Sequence, residues 1–188
     1  MTRTLFSLLC CFLSTQAWGL DAPDQNRLKI CIDFECEHKT AVRLTVDDWR
    51  QIRGFFTQAG TAQQERAQIA RYIAFMEKLS GQQTPTWRDH GENDPNVDPL
   101  GQLDCIAEST NTTRYLKLLQ STGLLRHHTV GERHVRNPWW LIPHWTAVIV
   151  ENDNGQAYAV DSWFLPNGRP PVILPLQAWL DGQGRPQG

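Results

Sequence analysis

The chain has 188 residues, with 18 Lys and Arg against 20 Asp and Glu and a formal charge of −2 with His neutral. Forty per cent of the residues are hydrophobic and 20% charged, enough apolar material for one buried core. That balance excludes a coiled coil, an acidic disordered tail and a basic nucleic-acid binder. Eight Trp is a high count for this length, and Trp lines clefts as well as packing cores.

Met1-Thr2-Arg3-Thr4, the apolar run Leu5–Leu13 and Ala17-Trp18-Gly19 follow the order of a secretory signal peptide, with cleavage expected before Leu20. Residues 1–19 are therefore expected to leave, and residues 20–188 to form one domain in an exported compartment, periplasmic or secreted. The leading apolar run is too short to span a bilayer, and no later run is long enough either. Cys10 and Cys11 leave with the signal, so Cys31, Cys36 and Cys105 remain. An exported compartment favours disulfides. Cys31 and Cys36 are the natural pair, provided the chain turns between them, and Cys105 is left as a free thiol.

Residues 28–36 alternate and predict a short strand. Thr45 is placed to cap a helix running to about Ala59, with Asp47 and Asp48 in its first turn. Gly60 ends it, and Thr61 with Gln64 predicts a capping box for a second helix ending at Gly81. Residues 81–101 lack periodicity and read as a long loop leading to Cys105, a length that points to function. Cys105 opens a third helix ending at Gly123. Its first half, Ser109-Thr110-Asn111-Thr112-Thr113, is a poor helix former that needs tertiary packing to survive. Asn111-Thr112-Thr113 matches a glycosylation sequon, which a helix would not present as an exposed loop does. Strands are expected at 124–130, from near His144 to Val150, and at 156–164. Asn152-Asp153-Asn154-Gly155 joins the last two as a hairpin. A terminal helical turn is expected at 176–180.

Three groups then fall into a pattern: Cys105 at a helix N-terminus, His144 at a strand start, and Asp161 near the end of the partner strand. A helix N-terminus favours a thiolate, and the Cys105 N–H could hold an oxyanion. A thiolate nucleophile wants a base beside it, and the base an orienting carboxylate. A four-residue loop at 152–155 sets Asp161 opposite Thr146; a two-residue turn at 154–155 sets it opposite Val148. Both registers put Asp161 and His144 on one face of the sheet, and the longer loop leaves them diagonal neighbours.

With Leu103-Asp104-Cys105, His144-Trp145-Thr146-Ala147-Val148 and Tyr158-Ala159-Val160-Asp161-Ser162-Trp163, residues 101–164 resemble the transglutaminase-like branch of the papain-like cysteine superfamily. The same phrases are similar to a set of uncharacterised bacterial exported proteins. The resemblance implies an α+β fold: N-terminal helices and a nucleophile helix packed on a small antiparallel sheet. It implies Cys105 as nucleophile, His144 as base and Asp161 as orienter, in acyl transfer through a thioester by an amide or peptide hydrolase or a transglutaminase-like transferase. No metal or other cofactor is implied. The expected partner is a peptide, protein or peptidoglycan amide, with no nucleic acid and no membrane span after signal removal. Gln102 is a further oxyanion candidate, Trp145 and Trp163 are candidate cleft walls, and Glu108 is placed to pair with an Arg. Two other readings compete. His127, His128, His134, His144 and Cys105 could bind zinc, although their spacing fits no compact ligand motif. The same fold could also serve as a non-catalytic exported module binding peptide or glycan.

Overall fold

The computed structural model describes residues 26–57, 60–92, 98–137 and 143–186. The signal-peptide expectation for residues 1–19 lies outside them. The fold is mixed α+β, with antiparallel sheets, as expected. Strands β1 (Arg27–Cys31) and β2 (Lys39–Arg43) form a two-stranded ribbon. Helices α1 (Val46–Phe55), α2 (Ala62–Gln83) and α3 (Cys105–Ser121) follow. The main sheet contains β3 (His128–Val130), β4 (His134–Arg136), β5 (His144–Glu151), β6 (Ala157–Asp161) and β7 (Val172–Pro175), and α4 (Leu176–Leu180) comes last. Its order is β3-β5-β6-β7, and β4 shares with β3 the edge of β5 that β6 leaves open. Among the described residues no helix is long and apolar enough to cross a membrane.

The strand expected over 28–36 ends at Cys31. The chain then turns through left-handed residues Glu35 and Cys36 (φ 55° and 60°), bringing the two cysteine Cα atoms to 4.7 Å and closing the Cys31–Cys36 disulfide. Thr45 caps α1, its side chain accepting from the Asp48 N–H while the Asp48 carboxylate accepts from Thr45. Thr61 caps α2 by accepting from the Gln64 N–H, but the Gln64 side chain reaches back to the Gly60 N–H, one residue before the cap. Gly81 does not end α2. It lies inside the helix, where a Cβ would come within 3.1 Å of the Trp87 backbone, so its small size rather than its backbone freedom is what the site requires. Within the loop expected over 81–101, Pro85–Arg88 form a 3₁₀ turn. Gly101 (φ +89°) donates to the Ile32 carbonyl, and a Cβ there would sit 2.3 Å from the Pro85 oxygen.

One apolar cluster joins Ile30 and Val42 of the ribbon, Ile52 of α1, Ile69, Tyr72, Ile73 and Met76 of α2, Tyr115, Leu116 and Leu119 of α3, and Ala147, Ile149 and Val160 of the sheet. The opposite face of the sheet carries a second cluster: Val148, Ala159, and Leu176 and Trp179 of α4. The alternation of a strand produces this division. The polar half of α3 is buried rather than solvated. Asn111 accepts from the Cys31 N–H (2.7 Å) and donates to the Cys31 carbonyl (3.0 Å), replacing a strand partner for β1. Thr112 shares a hydrogen with Ser162 (3.1 Å). One Arg133 nitrogen donates to Ile106 O, Ser109 and Thr110.

Replacing Asn111 by Ala strands two buried backbone groups and should destabilise the protein by about 2–3 kcal/mol in urea unfolding. A loss under about 0.5 kcal/mol would show that water restores those bonds.

Candidate functional site

The β5–β6 hairpin has the register of the four-residue loop. Ala147 pairs with Val160 and Val150 with Ala157, which sets Asp161 opposite Thr146. His144 and Asp161 become diagonal neighbours on the α4 face, and the His144 Nε2–Asp161 Oδ2 distance is 2.7 Å. The same Oδ2 accepts the Trp179 indole N–H at 2.7 Å, and Oδ1 accepts the Trp163 N–H at 3.3 Å. Indole nitrogen only donates. An ionised Asp161 that accepts from both Trp179 and the ring is the arrangement the Nε2–H tautomer of His144 satisfies. Nδ1 is buried and has no hydrogen-bond partner among the described residues. Trp163, Phe164 and Trp179 enclose the ring, with centroids 4.7, 5.1 and 5.5 Å from its own.

Cys105 is the first residue of α3, half-buried and not in a disulfide. The body of α3 packs on the Ala147–Ile149 face, opposite the His144 ring. Its first residue meets the main chain on either side of His144. The thiol donates to the Pro143 carbonyl (3.7 Å), and the Trp145 N–H points to the sulfur. Cys105 and His144 are thus adjacent, but the thiol is not bonded to Nδ1. Burial pushes the thiol pKa up, the Trp145 N–H opposes this, and the Asp104 and Asp161 carboxylates add to it. The thiolate expected from the helix N-terminus alone is not favoured here, because burial opposes it and the capping Asp104 carboxylate, one residue away, adds to that. Asp104 accepts from the Ala107 N–H (2.8 Å) and the Glu35 N–H (3.0 Å), tying the start of α3 to the disulfide turn.

The remaining candidates take different places. Gln102 is buried, donating to the Arg88 carbonyl and accepting from the His90 N–H, so its amide holds the 84–90 segment. Trp145 is half-buried, with the Arg133 guanidinium 5.0 Å over its ring. Trp163 lies against His144. Glu108 pairs with no basic group among the described residues and is 3% exposed. His128 is held by Glu65 at 2.9 Å. Among the described residues the only clustered metal-type donors are Asp33, Glu37 and His38, so the zinc set does not gather. A cleft of about 660 Å³ opens beside the α3 N-terminus, between Asp33, Glu35, His38, Asp98, Leu100 and Asp104.

Sequence reasoning missed Trp179 and its support. Arg136 donates to the Trp179 and Gln183 carbonyls, and its guanidinium lies 4.5 Å from the Trp179 ring centre. The available signal was the tail's apolar turn with a Trp in it: a buried indole N–H needs an acceptor.

Two outcomes follow from this geometry. Trp179→Phe keeps a ring but removes a donor from Asp161, and should cost about 1–3 kcal/mol of stability in urea unfolding. Alkylation of Cys105 should rise with pH on the alkaline side of an unburied thiol, measured as adduct mass against time. A midpoint on the acidic side would show that the burial is relieved in solution. Comparison with family models, with curated proteins and with solved structures finds no match for this chain.

Proposed function

We propose that this chain is an exported, thiol-dependent acyl-transfer enzyme on a papain-like or transglutaminase-like core, using Cys105, His144 and Asp161. The observation that carries the reading is the placement of His144: Nε2 lies on a carboxylate, Nδ1 is buried without a hydrogen-bond partner among the described residues, and a free thiol lies against the main chain on either side of the residue. A rotation about the Cys105 Cα–Cβ bond is the movement the chemistry asks for, and such bonds commonly tighten only with substrate present.

In this mechanism Nδ1 takes the thiol proton as sulfur attacks the carbonyl carbon of a peptide, protein or peptidoglycan amide. The oxyanion accepts from the Cys105 N–H. As the C–N bond breaks, the imidazolium returns the proton to the leaving amine, and a thioester remains on Cys105. Nδ1 then deprotonates water or a second amine, which attacks the thioester and releases the thiol. Asp161 holds the ring tautomer throughout, and Trp179 and Trp163 hold Asp161.

One observation favours a second reading, a non-catalytic binding module. Burial keeps the Cys105 thiol protonated, and its donor points to Pro143. Alkylation by chloroacetamide at pH 7.5, followed by intact mass, separates the two. The enzyme should form one adduct at Cys105, and His144→Ala should slow it by about 10²-fold. Asp161→Ala should slow it less, since water can partly replace an orienter. Equal rates in the three proteins leave the binding module as the better account.

A further inference from the structure

Behind the site, on the α3 face of the sheet, three carboxyl groups from three segments are buried together. Glu77 comes from α2, Asp89 from the end of the 3₁₀ turn, and Glu108 from α3; they are 4%, 2% and 3% exposed. Asp89 accepts from the Leu103 N–H (2.9 Å) and the Gly91 N–H. Glu77 accepts from the Gly168 N–H (2.8 Å) and from Ser162. Among the described residues Glu77 Oε1 and Asp89 Oδ2 are buried with no hydrogen-bond partner. Among the described residues no Lys, Arg or His pairs with any of the three.

Three ionised carboxylates cannot share a dry site without a cation. Their oxygens do not converge as metal ligands do, since they are not among the donors lying within 4.8 Å of one another. Protons are the remaining means of neutralising them, and orphaned oxygens are where protons would sit. The other ionisable groups facing the cluster make its ionisation harder. The Asp104 carboxylate at the start of α3 and the Asp161 carboxylate, acting through the sheet from its far face, oppose ionisation of Glu108, and Tyr115 of α3 lies beside Glu77 and Glu108. The bases His144 and Arg136 act on Asp161 from the far face of the sheet. Lys78 packs on Gly168, whose N–H donates to Glu77, but among the described residues it makes no ion pair with the cluster.

We propose that Glu77, Asp89 and Glu108 form a proton-loaded latch, which holds residues 84–91, the Leu103 backbone and the 162–168 turn against α2 and α3 and loosens as the carboxyls ionise. Leu103 leads through Asp104 into the start of α3, so loosening would act on the position of Cys105. Burial pushes Glu77 up to about 8 and Asp89 to about 7, and burial with the surrounding carboxylates pushes Glu108 well up. The native state therefore binds more protons than the unfolded chain. The latch's contribution is complete below the ordinary carboxyl range and is lost as pH rises towards about 8.

Thermal unfolding between pH 5 and 9 tests this without reference to catalysis. The unaltered protein's midpoint should fall by about 5 °C or more over that range, and Glu77→Gln and Glu108→Gln should each flatten the fall. His38, whose imidazole is pushed up by Asp33, contributes a fall of the same sign that the variants leave in place, so the difference between proteins reads the latch alone. Amide exchange at Leu103 and Gly168 should quicken with pH beyond its intrinsic dependence in the unaltered protein, and less so in the variants. Variants as steep as the unaltered protein would overturn the proposal. If the variants do not fold, carboxyl-carbon titration of the unaltered protein decides. At least one Glu or Asp titrating above pH 6 supports the latch, and none above pH 5 overturns it. A rise of the midpoint at pH 8.5 on adding millimolar Ca²⁺, absent in Glu108→Gln, would show that a cation and not protons neutralises the cluster, and would also overturn it.

Discussion

A helix buried on most sides and polar along its first half must find a partner for each amide and hydroxyl it carries, because an unmet buried polar group costs about 1–3 kcal/mol. The described structure turns on how α3 meets this condition. Asn111 reads both backbone groups of Cys31 as a neighbouring strand would, Thr112 meets Ser162, and Arg133 collects Ile106 O, Ser109 and Thr110. These bonds fix the helix against the ribbon, the main sheet and the β3–β4 connection at once. They fix its rotation as well as its position, and so determine where its first residue, Cys105, arrives.

The end of β6 serves two networks through two consecutive residues. Strand alternation sends Asp161 to the α4 face, where it meets His144 and Trp179, and Ser162 to the α3 face, where it meets Thr112 and Glu77. A one-residue slip of the hairpin would exchange the two side chains and break both networks together. The Glu151 N–H bond to Gln156 O and the Gly155 N–H bond to Glu151 O close the loop in the observed register. That short stretch at 151–156 therefore sets geometry at the far end of both strands.

The parts of the fold governed by local chemistry were legible in the sequence. Thr45 and Thr61 cap helices because their hydroxyls compete for free N–H groups, and the 152–155 turn sets the register by its length. The Cys31–Cys36 pair was legible from its short spacing, whereas the turn that closes it was not, since residues 28–36 alternate as a strand does. Strands β2, β4 and β7 were not legible. β4 is three residues long and β7 ends at Pro175, and both exist because a neighbouring strand offers an edge. Gly81 reads as a helix stop by propensity and is overridden by the close approach of Trp87. Glu108 reads as a surface partner for an Arg, since nothing local reports that a carboxyl will be buried with two others. Trp179 lies 18 residues from Asp161, beyond a run of prolines, and no periodicity links them. At the site, the His144–Asp161 neighbourhood could be derived by counting along a hairpin, whereas the resting state of the thiol depended on burial that no count supplies.

That resting state decides between two ways of using a cysteine at a helix start. The free N–H groups and macrodipole of α3 favour a thiolate by about 0.3–1 kcal/mol. The same N-terminus is capped by Asp104, whose carboxylate takes up the Ala107 N–H and places a negative charge one residue from the sulfur. Asp161 adds to the effect, and burial exceeds both. A lone thiolate is therefore disfavoured, and the helix field cannot restore it. On the proposed reading a thiolate formed by transfer to His144 Nδ1 is different, because the imidazolium would arise in the same enclosure, with the Asp161 carboxylate on its Nε2. The carboxylate that opposes the isolated thiolate thus stabilises the ion pair. On the proposed reading, the burial that keeps Cys105 neutral at rest also couples its ionisation to the protonation of His144, so the nucleophile is generated only when thiol and ring are brought into line.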